Sequence, residues 1–124
     1  MSAAPVDVPS AVRRGVRLFN RRRYLSAHQV WEEAWAGATD LDRAFLEALV
    51  QLAGGLHMRT RRGATRGAEH LLAQAMATLE DFRPGRHGID VDRLLEDFGA
   101  FHTWLREVRR PHRVLDLLRI PKLR

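Results

Sequence analysis

The stretch LDRAFLEALVQLAGGLHMRTRR, Leu41 to Arg62, decides the architecture. Its apolar residues recur every three or four positions, so it reads as one long helix. Leu41, Phe45, Leu49, Leu52 and Leu56 form one stripe, and Leu46, Val50 and Ala53 form a second beside it. A helix apolar over so wide an arc needs neighbours on more than one side, which makes it central. Gly54 and Gly55 each weaken it by about 1 kcal/mol relative to alanine, and the close approach of a neighbouring helix is the compensation to expect.

Outward from this helix the same periodicity continues, and nowhere does the two-residue alternation of a half-buried strand replace it. Pro9-Ser10 offers a capping serine for a first helix running to about Asn20. A second covers about Tyr24 to Ala36 with Gly37 as its stop, and Thr39-Asp40 supplies the cap of the long third helix. Gly63 and Gly67 bracket the turn into a fourth, which ends before Pro84-Gly85. RPGRHGID is predicted as a loop, and a fifth helix spans about Val91 to Arg109, where Pro111 stops it. The expected fold is all-α: a compact bundle of about five helices with antiparallel neighbours. The whole chain, 1–124, is expected to be a single domain, with an N-terminal tail over 1–9 and a C-terminal tail over 111–124 packing partly on the body.

Composition narrows the chemistry. There are no cysteines, which removes disulfides, thiolate metal sites and thiol nucleophiles and fits a reducing, cytoplasmic setting. No apolar run approaches the roughly 20 residues of a membrane span, and no signal peptide is recognisable. A membrane partner is not expected. The net charge is +6, with arginine clusters at Arg21-Arg22-Arg23, Arg59 to Arg66 and Arg106 to Arg113. These could meet phosphate backbones, but the aromatics that stack on bases are not interleaved with them. A nucleic-acid or protein-binding module is therefore an alternative that composition permits without favouring. A homo-oligomer is equally open.

Chemistry-bearing residues concentrate in the second helix, YLSAHQVWEEAW from Tyr24 to Trp35. At about 100° per residue, Tyr24, Ala27, His28, Trp31, Glu32, Ala34 and Trp35 fall on one side, with Ser26, Gln29 and Glu33 on the other. His28 and Glu32 stand one turn apart and are expected to turn inward among the indole rings. A carboxylate rarely enters such a place without a partner. Either the pair is a hydrogen-bonded staple between helices, or it forms a site for catalysis, a small ligand or a metal. In the catalytic version Glu32 is base or ligand and His28 is acid, base or ligand. A divalent metal could be held by His28 and Glu32, although nothing in the sequence requires one and two donors do not make a stable site. The zinc-protease pattern H-E-x-x-H fails here, since Gln29 takes the place of its glutamate and Glu32 that of its second histidine.

An antiparallel hairpin turning near residue 38 places His28 level with about Ala48 and Glu32 with about Ala44. Glu47 and Gln51 then become the nearest ligand-capable residues of the third helix. His57 lies too far along, and is more readily a core histidine held by a hydrogen bond. His70, His87, His102 and His112 show no ligand spacing and read as surface or core. Whether the protein is an enzyme stays open.

The runs GVRLFNRRRYLSAHQVWEEAW and FLEALVQLAGGLHMRTRRGATRGAEHLL resemble the bacterial and archaeal family called domain of unknown function 309. The resemblance rests on H-x3-E-x2-W at His28, Glu32 and Trp35, preceded by F-N-x3-Y at Phe19, Asn20 and Tyr24. Downstream, Q-x-A-x3-H falls on Gln51, Ala53 and His57. It implies a small helical fold and no particular activity. Three positions depart from the family's habit: Gln29 replaces a common glutamate, Arg22 a common glycine and Glu47 a common glutamine.

Overall fold

A computed structural model describes residues 6–63, 65–108 and 117–124, with Arg62 described by its backbone alone. The expected helix end at Arg109, the stop at Pro111, and His112 with the arginines around it lie outside the described residues. Among those described, five α-helices occur: α1 Val8–Asn20, α2 Tyr24–Gly37, α3 Asp40–His57, α4 Thr65–Leu79 and α5 Val91–Glu107. The all-α expectation holds. None of the helices is long and apolar enough to cross a membrane.

The third helix is central, packing against α2 on one side and α4 on the other, while α1 leans on α2 and α5 on α4. Both glycines of α3 earn their place by proximity. A side chain on Gly55 would stand 3.3 Å from the Ala68 carbonyl and from Leu71, which is the α3–α4 crossing. One on Gly54 would stand 3.2 Å from the His28 ring on α2. The core joins Phe45, Leu46, Leu49, Leu52 and Leu56 to the inward residues of the other helices. Phe19 ties three helices together, with its ring 5.0 Å from Tyr24 and 6.0 Å from Phe98, both edge-on. From the far end of the chain Ile120 and Leu123 enter the same core. Asn20 clasps Leu123 there, its side-chain NH2 donating to the Leu123 carbonyl at 2.8 Å and its oxygen accepting from the Leu123 N–H at 2.7 Å.

Several local expectations need correcting. The cap of α1 is Asp7, whose carboxylate accepts the Ser10 N–H at 3.0 Å, so the helix opens one turn earlier than Ser10 implied. Thr39 precedes α3 without a side-chain cap bond. Leu41 is 62% exposed, because it sits in the first turn, before α3 has entered its groove. After His57 the helix widens into a π turn over Met58–Arg62, ended by Gly63 in the left-handed conformation at φ 63°. Gly67 belongs to α4 itself and leaves room for the Met58 side chain. The segment read as plain loop contains a two-stranded antiparallel hairpin, Gly85–Arg86 paired with Ile89–Asp90, which is too short for alternation to reveal.

Candidate functional site

On α2 the inward residues are Tyr24, Ala27, Trp31 and Ala34. The next positions round the helix, His28, Glu32 and Trp35, border the seam with α3 instead of entering the core. His28 is 28% exposed and Glu32 60%, and their Nδ1 and Oε2 atoms lie 3.3 Å apart. The expectation that both turn inward among the indoles is therefore corrected. Glu32 faces water, since the buried arc of α2 is only wide enough for the four residues that meet α1 and α3. The pair is also no sealed staple.

Along that seam lies an open cleft of about 210 Å³, lined by His28, Glu32 and Trp35 from α2 and by Glu47, Val50 and Gln51 from α3. The antiparallel pairing of the two helices brings these six together from positions far apart in sequence. Gly54 is the floor under the imidazole, where any side chain would press on its Cδ2 edge. Trp35 supplies an apolar wall. Arg43 lies over its ring at 4.1 Å, and its indole N–H is buried with no hydrogen-bond partner among the described residues. Two carboxylates at the rim, an imidazole on the floor and an indole wall make a surface that is negative outside and apolar inside. A proton on Nδ1 aimed at Glu32 leaves Nε2 of His28 as the acceptor.

Other candidates lie elsewhere. Trp31 is fully buried over Gly15 and belongs to the core. Tyr24 and His57 line a separate pocket at the opposite end of the α2–α3 seam. Burial pushes the Tyr24 phenol up to about 12, against a smaller opposing effect of Arg22. Among the described residues no group of three or more histidine or acidic side chains is arranged to hold a metal ion. His28 and Glu32 remain two donors, with Glu47 on the same cleft but not completing a ligand set.

Sequence reasoning did not place Val50, Gly54 or Arg43 at the site: the assumed register put His28 level with about Ala48, whereas its ring lies against Gly54. It also missed a polar cluster at the start of α3. Asp42 accepts from Arg86 Nε at 3.0 Å and lies 2.8 Å from His87 Nε2. These contacts, the bond to His87 foremost, hold the Asp42 carboxyl below its usual range. No short-range signal could have joined residues 42 and 87.

The family described as "Domain of unknown function (DUF309)" matches residues 12–71, a span that holds every residue of the cleft. No curated protein matches the chain.

Proposed function

We propose that the α2–α3 cleft, which lies within the residues 12–71 that the family described as a domain of unknown function (DUF309) matches, binds a small molecule carrying a cationic or donor-rich group. The carrying observation is the convergence of Glu32, Glu47, Gln51 and His28 on one cleft walled by Trp35 and Val50. Binding sites combine an apolar wall with a few convergent polar groups, and this cleft has both. Its size suits a short amine, amidine or guanidine better than a cofactor. The carboxylates accept from such a group, while Trp35 covers its hydrocarbon part. The cysteine-free composition supports a cytoplasmic setting for this binding.

The test is a titration of labelled protein with a panel of alkylamines, alkylguanidines and neutral amides, following backbone amide shifts. Cationic probes are expected to move Glu32, Glu47 and Gln51 first. Glu47→Gln should weaken that binding while leaving the melting temperature nearly unchanged, since the residue is exposed. A panel in which no compound shifts the cleft residues, or in which neutral amides bind as well as amines, refutes the proposal.

The 3.3 Å contact between His28 and Glu32 favours a second reading, in which the cleft also moves a proton. His28 is then the base and Glu32 the group that positions it. Under that reading Glu32→Gln lowers turnover of a bound compound by more than its loss of binding accounts for, whereas Glu47→Gln weakens binding alone. If turnover survives His28→Gln, this reading is wrong.

A further inference from the structure

At the other end of the α2–α3 seam the charge is reversed. A pocket of about 320 Å³ opens where the α1–α2 turn meets the π turn after α3, lined among others by Arg22, Arg23, Tyr24, Ser26 and Arg61. None of these three arginines has a carboxylate partner among the described residues, so like charges are gathered around one cavity without compensation. Tyr24 is 5% exposed and lines the same cavity. Its phenolic hydroxyl can donate a hydrogen bond to an anion in that cavity. The first turn of α2 adds N–H groups that no side chain caps. Thr60 contributes no donor, because its hydroxyl already donates to the Leu56 carbonyl at 2.8 Å. Arg22 enters with φ 64°, a left-handed conformation that residues other than glycine seldom adopt. The Arg22 side chain lies on the rim of this pocket.

We infer that this pocket binds the phosphate group of a small phosphate ester, held by the guanidinium groups of Arg22, Arg23 and Arg61 and by the Tyr24 hydroxyl. Concavity favours a compact anion over a polymer, since arginines that track a nucleic-acid backbone spread along a stripe instead of converging on one hollow. The inference stands apart from the cleft at His28, which has different residues and the opposite charge preference.

The test titrates the full-length protein at low salt with inorganic phosphate, glycerol phosphate and, separately, a short single-stranded RNA. Phosphate and its ester are expected to shift the amides of Tyr24, Ser26 and Arg61, while those of Glu47 and Gln51 stay in place. Arg61→Gln should weaken binding about tenfold, the loss of one charge-assisted bond, whereas Arg13→Gln on α1 should not. Tyr24→Phe should weaken it less, with the fold retained. Arg22→Gly gives the sharpest contrast: melting temperature rises as the backbone strain goes, yet phosphate affinity falls. No shift at millimolar phosphate overturns the inference, as does an affinity for phosphate that Arg61→Gln and Arg22→Gly leave unchanged. RNA binding with a steep salt dependence and no response to the two small phosphates overturns it in favour of a polymer surface.

Discussion

Replacing Gly15 by alanine should destabilise the protein strongly, although the same exchange in an open helix does the reverse. Gly15 is buried in α1, and a methyl group there would overlap the indole of Trp31, which is fully buried. Alanine in a helix interior gains about 1 kcal/mol over glycine. Overpacking costs about 1–3 kcal/mol when neighbours can yield. Here the obstacle is a ring with no free side to retreat to. Swinging it outward forfeits about 4–6 kcal/mol of burial, at about 25 cal/mol per Å² over the area of a tryptophan. The balance is a net loss of about 3–5 kcal/mol, a fall in melting temperature of roughly 15 °C for a chain of this size. Thermal unfolding followed by tryptophan fluorescence measures it. Gly99→Ala on α5 is the matched control: no neighbour lies within 4 Å of a side chain added there, so this variant should gain about 1 kcal/mol. A Gly15→Ala protein as stable as the parent would refute the packing account of α1 on α2.

Gly54→Ala should divide stability from binding, because the His28 ring that an added methyl meets at 3.2 Å is partly exposed and can shift aside. Stability is expected to hold or rise by up to about 1 kcal/mol, while amine binding in the cleft weakens; a loss of stability without a change in binding would contradict this. Asn20→Ala removes both bonds to the Leu123 backbone and should cost about 1–3 kcal/mol, read by urea denaturation with no change in slope. For Asp42→Asn the sign follows from its depressed carboxyl. The contribution of Asp42 is complete above the ordinary carboxylate range and is lost as pH falls through the lower folded value. The gap in melting temperature between parent and variant should therefore be widest near neutrality and close in acid, and a gap independent of pH would count against the contact. Tyr24 is the sole tyrosine, so the near-ultraviolet absorbance of its phenolate isolates one group, and it should appear at about pH 12. Because folding raises this value, stability should decline as pH climbs above the free phenol's value of about 10; ionisation at the ordinary value would show that the ring is not buried.

The helices, their order and the central place of α3 were legible in the sequence because helical amphipathicity is a local, periodic signal. The doublet Gly54-Gly55 announced close packing for the same reason: a missing side chain inside a helix has an immediate local cost. So too His28, Glu32, Glu47 and Gln51 could be drawn together from an assumed antiparallel register, before any contact was known. What periodicity could not supply was the depth of each position. Glu32 and Leu41 sit on apolar arcs and yet face water, because burial depends on how far the neighbouring helix reaches, and that is a property of the packed pair. The clasp of Asn20 on Leu123 and the meeting of Asp42 with His87 join residues distant along the chain, and the two-residue strands are too short to leave a pattern. Local spacing determined which residues could share a face; only the tertiary structure decided which face met a neighbour, which was left as a cleft, and which arginines closed round a pocket, since these follow from chain segments that the sequence alone does not bring into contact.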